Sequence, residues 1–245
     1  MKLITLNIWG GKIYDPLIDF LKDYSREIDI FCFQELLDNP SGIQSRIMRD
    51  AKQDINQDIK MVLPDFDEYL APYQDHEEII GMYIRKSIPV RKTGDVFVYR
   101  WRNALVGNDA TTYGINLQYA EINQDNKKYT ICNLHGHWTS KYKGDNPARL
   151  EQSRNIRKFL DNVEGPKILC GDFNLDPETE SMKILEATMK NLVKEYGINS
   201  TRSGHYTGPS RFADYILVSP EIKVKDFKVL QDIVSDHLPV FLEFE

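Results

Sequence analysis

Cysteine is scarce, basic charge is in deficit and long apolar runs are missing from this 245-residue chain. The three cysteines, Cys32, Cys132 and Cys170, form no C-x-x-C, which excludes a disulfide framework and the usual zinc or thiol-redox spacings. Each stands in an apolar, strand-like stretch where a free thiol behaves as a small buried hydrophobe, so the expected setting is a reducing one, the cytoplasm. No stretch approaches the ~20 apolar residues that a membrane-spanning helix needs. The N-terminal run Met1-Lys2-Leu3-Ile4-Thr5-Leu6-Asn7 alternates too early to be a signal-peptide core. With 31 Lys+Arg against 37 Asp+Glu the net charge is −6, which disfavours broad, non-specific binding to nucleic acid and leaves open only a local basic groove.

The familiar catalytic devices are absent as well. No G-x-x-x-x-G-K-S/T, G-x-G-x-x-G, H-E-x-x-H or G-x-S-x-G occurs, which removes the usual cues for phosphate-loop hydrolases, dinucleotide enzymes, zincins and serine hydrolases. There is no internal repeat, no low-complexity tract and no Pro/Gly/Ser-rich linker, so residues 1–245 are expected to form a single domain. Hydrophobic residues at 41% and charged residues at 28% are ordinary for a globular chain able to bury a substantial core.

What is present is an alternation of short apolar runs and amphipathic stretches. Strands are expected over 3–8 and 28–33, the second apolar enough to be buried on both faces. A helix is expected over 16–24, and the capping-box spacing at 41–44 predicts another running towards residue 60. The text then turns β-rich over 68–71, 79–85, 90–99, 114–122 and 129–134, with a hairpin turn at 123–128. Asp145-Asn146-Pro147 announces a helix. A buried strand at 168–170 and a second helix start at Asp176-Pro177-Glu178, leading to residue 188, follow it. Strands close the chain at 214–218, 222–229 and 239–244. Helices flanking many strands predict an α/β fold of packed sheets covered by helices.

Polar residues collect where these strands end. Asn7 follows the first strand, and Gln34-Glu35 leaves the second, where a carboxylate is costly unless paired or bound to a cation. Gly171-Asp172-Phe173-Asn174 ends another. On extended backbone Asp172 and Asn174 share one side while Phe173 points into the core. Asn133-Leu134-His135, Asp214-Tyr215 and Ser235-Asp236-His237 complete the set. Each has an ordinary reading as a turn, a cap or a solvated loop acid. Six such segments in fixed order are a stronger signal than any one of them.

In that order, Leu6-Asn7-Ile8-Trp9, Gln34-Glu35, Asn133-Leu134-His135, Gly171-Asp172-Phe173-Asn174, Asp214-Tyr215 and Ser235-Asp236-His237 resemble the endonuclease/exonuclease/phosphatase superfamily, over roughly residues 3–244. The resemblance implies a four-layer α/β/β/α sandwich of two packed mixed sheets flanked by helices, and P–O bond cleavage with a divalent cation, Mg²⁺ or Mn²⁺. It implies Glu35 as main metal ligand with Asn7 and Asp236 beside it, and Asp172 with Asn174 as the residues that position or activate water. His237, oriented by Asp214, would act in acid–base or phosphate-stabilising work, and His135 would bond the phosphate oxygens. Nuclease-type hydrolysis is the first substrate reading. A small-molecule or lipid-headgroup phosphatase or diesterase is the second, and a catalytically silent binding protein on the same fold is a third. A phosphate ester, including nucleic acid, is the implied partner; no protein partner is.

The physics agrees with a cation. Carboxylate and amide oxygens without thiolate suit a hard dication, and clustered acids repel one another without it. His137, Trp138 and Arg211 are further candidates for substrate contact. Lys141, Lys143, Arg149 and Arg202 flank the same loops, where a charge is most often simply solvated. Deoxyribonuclease-like members support the first histidine with a glutamate, for which Glu77 and Glu78 are nearby candidates. Asn199-Ser200-Thr201 matches the glycosylation pattern, and Trp9, Tyr99 and Trp101 are candidates for base stacking.

Overall fold

The computed structural model describes residues 1–39, 48, 50–72, 78–100, 114–125, 127–139 and 143–245. The predicted capping box at 41–44, Glu77, Trp101 and Lys141 lie outside them. Two six-stranded mixed sheets form the framework. The first contains β1 (Lys2–Asn7), β2 (Ile30–Leu37), β3 (Phe66–Pro72), β4 (Glu78–Arg85), β11 (Val224–Val229) and β12 (Val240–Phe244), in the order β11-β12-β1-β2-β4-β3. The second contains β5 (Val90–Tyr99), β6 (Ile115–Gln124), β7 (Lys127–His135), β8 (Lys167–Asp172), β9 (Lys190–Asn191) and β10 (Asp214–Val218), in the order β5-β6-β7-β8-β10-β9.

Period-2 alternation sorts the core into layers. On β1 and β2, Ile4, Leu6, Phe31 and Phe33 meet the apolar faces of helices α1 (Tyr14–Tyr24) and α2 (Ile55–Val62). Leu3, Ile30 and Cys32 instead join Leu117, Ile131 and Cys170 of the other sheet in the central layer. Helices α3 (Pro147–Asp161), α4 (Glu180–Glu186) and α5 (Leu192–Glu195) cover the second sheet through Ile156, Leu160, Met182, Leu185 and Leu192. This is the four-layer α/β sandwich. No described helix is long and apolar enough to cross a membrane.

Local chemistry explains the element ends. Asn146 caps α3 by accepting from Arg149 N at 2.9 Å, with Pro147 at the first helical position. The Asp176-Pro177-Glu178 signal marks a turn, and α4 starts later, capped by Thr179 Oγ1 at 3.2 Å from Met182 N. Of the helix expected to run from the capping box towards residue 60, the described part is α2, which begins at Ile55 after turns at 50–54, so no continuous helix reaches back to the capping-box region.

Candidate active site

The register of three adjacent strands sets one row of the site. His135 of β7 stands opposite Asp172 of β8, and Asp172 opposite Asp214 of β10. Asp172 shares the parity of Cys170, so it faces the space between the sheets. Gly171 makes this row compatible with β7: its φ is 130°, and a Cβ there would lie 2.0 Å from the Leu134 carbonyl oxygen.

The first sheet supplies the facing row, and here alternation is broken. Strict period 2 would put Glu35 with Phe31 and Phe33 under the helices. Instead the β2–β4 register slips between Phe33 and Leu36, and Glu35 adopts a left-handed φ of 57°. The bulge turns its carboxylate to the inter-sheet space, where Asn7 Nδ2 donates to Glu35 Oε1 at 2.8 Å and to Asp172 Oδ2 at 3.1 Å. Asn7 Oδ1 accepts from Trp9 N at 2.9 Å. As placed, Asn7 therefore offers the carboxylates an N–H and joins the two sheets.

Asp172 is the hub. Its Oδ1 accepts from Asn174 N at 2.8 Å, and its Oδ2 lies 3.8 Å from His135 Nε2 and 3.7 Å from His237 Nε2. Burial alone would raise its pKa, but the surrounding charges of His237, His135, Arg202 and Lys143 outweigh it and hold the carboxyl down at about 2. His237 Nδ1 bonds both oxygens of Asp214 at 2.8 Å. Burial pulls His237 down, while Asp214 and then Asp172 push it up against Arg202, and the balance is upward. Asp214 itself is raised, burial outweighing the relief from His237. Thr201 Oγ1 accepts from Asp214 N at 3.2 Å and from Ala213 N at 3.1 Å, which fixes where β10 starts.

Asn174 has a left-handed φ of 54° rather than extended backbone, yet its side chain still belongs to the site, donating to the Gly136 carbonyl at 3.1 Å and accepting from Lys143 Nζ. Phe173 is fully buried against Tyr215. Asp236 stands with Arg202, whose Nη1 is 3.4 Å from its Oδ2, and its Oδ1 is 3.8 Å from His237 Nε2. Glu35, His135 and Asp172 bring their ligand atoms within 4.8 Å of one another, as do Asp172, Asp214 and His237. Oxygen-rich donors without thiolate fit a hard dication, and the crowding of Glu35 and Asp172 favours one.

The candidate contact residues divide differently. His137 is buried, with its backbone N–H bonded to Gln152 Oε1 at 2.9 Å and its ring edge-on to Tyr99. Trp138 is 49% exposed, and Arg211 is exposed with its carbonyl accepting from Thr201 N. None of the three enters either ligand-atom group. Arg149 is wholly buried and bonds the carbonyls of His137 and Gly144. Lys143 and Arg202, by contrast, point into the site. Their presence between motif segments was the available signal, and a loop position gave no sign of burial.

Residues 4–237 match the family model described as Endonuclease/Exonuclease/phosphatase family. Among solved structures, an endonuclease/exonuclease/phosphatase family protein from Bacteroides thetaiotaomicron is 20% identical with a TM-score of 0.76, covering 100% of this chain and 94% of its own. A mannosyl-6-phosphatase from the same organism is 19% identical with a TM-score of 0.76, covering 100% and 99%. TDP2 from D. rerio, complexed with a single-strand DNA product, is 16% identical with a TM-score of 0.74, covering 100% and 98%. At these identities the likeness is one of fold. A comparison with curated protein sequences found no match.

Proposed function

The chain belongs to the endonuclease/exonuclease/phosphatase family, and on that premise we propose that it is a divalent-metal-dependent phosphoesterase in which water attacks phosphorus in line. One observation carries the reading: side chains from β1, β2, β7, β8, β10 and the loop before β12 meet around the Asp172 carboxylate. We take residues 1–245 as one domain, since both sheets share the central core layer. The three free thiols suit a reducing compartment such as the cytoplasm.

Glu35 and Asp172 are the residues that would hold Mg²⁺ or Mn²⁺, with Asn7 fixing both and Asp236 as a further carboxylate. The bound ion would neutralise phosphate charge and stabilise the developing anion. Asp172, ionised and anchored by Asn174 N–H, orients the water. His237, held by Asp214, presents Nε2 beside Asp172 and takes up the proton that water releases. The water oxygen forms the new P–O bond, the ester P–O bond breaks, and the departing alkoxide takes a proton from solvent, to which His237 afterwards returns the one it accepted. His135 donates to a non-bridging oxygen.

Nuclease-type hydrolysis follows from resemblance. A small phosphate ester is favoured by the net charge of −6 and by two cations buried in the site, Lys143 and Arg202. Purified protein with Mg²⁺ or Mn²⁺ tests the reading on p-nitrophenyl phosphate, bis-p-nitrophenyl phosphate and plasmid DNA. Turnover that disappears with EDTA and falls by about 10² or more in Asp172→Ala and His237→Ala supports it. A folded wild-type protein that turns over none of them, with either ion, leaves the binding-protein reading instead.

A further inference from the structure

The hydrolytic reading uses the acids, amides and imidazoles of the site and leaves two of its groups without a task. Lys143 reaches in from the loop before α3, buried to 7% exposure, and donates Nζ to Asn174 Oδ1. Its backbone is pinned where its carbonyl accepts from Asp176 N at 2.9 Å. Arg202 reaches in from the segment before β10, its side chain 7% exposed. A backbone bridge ties it to His237, its guanidinium lies 4.0 Å over the Tyr206 ring, and Nη1 contacts His237 Nε2 and Asp236. Its Nε is buried without a hydrogen-bond partner.

Among the described residues neither cation is held in a close bidentate ion pair, although Asp172 attracts both. Arg202 has one carboxylate, at 3.4 Å, and faces a ring nitrogen with the rest of that end. Among the described residues, the side-chain hydrogen bond of Lys143 goes to a neutral amide oxygen. Its pKa falls to about 8 because of burial first and then the Arg202 and Arg149 guanidinium groups, despite Asp172. Burying a charged donor with an orphaned N–H is unfavourable, and the arrangement is relieved by an anion that accepts from both groups. Arg and Lys recognise phosphate by bidentate and point-charge bonding respectively. A terminal phosphoryl group, with its second ionisation near pH ~6, brings close to two charges and three free oxygens. A phosphodiester brings one charge and two.

Resting on the hydrolytic reading above, we propose that Lys143, beside Asn174, and Arg202, beside His237, together grip the terminal phosphoryl group of the substrate, so that this chain acts on phosphomonoesters in preference to internal phosphodiesters. The two residues bind substrate and leave the orienting of water to Asp172 and the proton to His237. The selectivity lies in charge count and oxygen count and does not depend on the alcohol.

The test pairs binding with kinetics in wild type, Lys143→Met and Arg202→Gln. Inorganic phosphate is titrated by calorimetry, and kcat/KM is measured for p-nitrophenyl phosphate and bis-p-nitrophenyl phosphate. The expected result is at least tenfold weaker phosphate binding in each variant. The monoester kcat/KM should fall roughly thirtyfold or more while the diester value falls less than about threefold. Arg202→Lys and Lys143→Arg keep the charge, guard against a folding defect and should recover part of the phosphate affinity. Phosphate affinity unchanged in both variants, or equal losses on both esters, overturns the proposal. If the wild type hydrolyses neither ester yet binds phosphate through these two residues, the hydrolytic reading fails and the grip stands. If it hydrolyses esters and the variants match it, the grip fails alone.

Discussion

His237 Nδ1 lies 2.8 Å from each carboxylate oxygen of Asp214, while the opposite ring nitrogen faces Asp172 at 3.7 Å. Both residues are buried, and strand register fixes Asp214 opposite Asp172. The ring therefore has one orientation, with Nδ1 directed to Asp214 and Nε2 turned towards Asp172 and Arg202. In Asp214→Asn the amide can present N–H to Nδ1 and favour the wrong tautomer. We expect kcat to fall by about 10²–10⁴ with little change in KM. His237→Ala should cost about as much, and the double variant hardly more, because the two act as a unit. Steady-state kinetics on the three variants checks this; additive losses would separate the two residues.

Glu35 carries the metal expectation. Mg²⁺ should raise the melting temperature of the wild type, with about 2.7 kcal/mol of stabilisation at a hundredfold excess over Kd. Glu35→Gln should lose that response. Without metal, the variant should be no less stable than wild type, because it removes a carboxylate that crowds Asp172. Thermal melts with EDTA, Mg²⁺ and Mn²⁺ decide it, and a wild type indifferent to both ions contradicts the assignment.

Lys143 gives a pH signature whose sign is fixed. Its pKa is about 8 in the folded protein against about 10.4 unfolded, so the unfolded chain holds the proton more tightly between those values. Its charge opposes folding fully below about pH 8, and that penalty shrinks as pH rises towards 10. Relative to Lys143→Met, the wild type should gain stability over this window, by at most about 3 kcal/mol at 1.36 kcal/mol per unit. Phosphate affinity should fall over the same window as the cation is lost. Urea melts from pH 6 to 10 in EDTA measure the first effect.

Gly171 holds the β7–β8 row together. Gly171→Ala combines a φ of 130° with a Cβ 2.0 Å from the Leu134 carbonyl oxygen. It should cost roughly 2–4 kcal/mol and displace Asp172. Gly197→Ala is the control: its φ is 61° and its Cβ would meet nothing within 4 Å, so about 1–2 kcal/mol is expected. Comparable losses would show that close approach to β7 does not matter.

Much of the fold was legible because apolar runs report buried strands directly. Residues 90–99 and 214–218 became β5 and β10 with those bounds, and Pro147 opened α3. Asp172 and Asn174 were legible as strand-end polar residues, although Asn174 reaches the site through left-handed backbone rather than alternation. Glu35 was legible only as a motif, since its inward turn depends on a bulge that period 2 cannot encode. Lys143, Arg149 and Arg202 looked like solvated loop charges. Their burial arises from tertiary contacts with Asn174, the His137 and Gly144 carbonyls and Tyr206. The two-residue β9 and the short α5 carried too little pattern to be read.

If this convergence of strand ends drives water onto phosphorus, the oxygen of that water ends in the phosphate. Hydrolysis of p-nitrophenyl phosphate with Mg²⁺ in ¹⁸O-water, followed by mass spectrometry of the products, tests it most directly. One ¹⁸O is expected in the released phosphate and none in p-nitrophenol, with release stopped by EDTA. Label in the phenol, or release unaffected by EDTA and by Asp172→Ala, would contradict it.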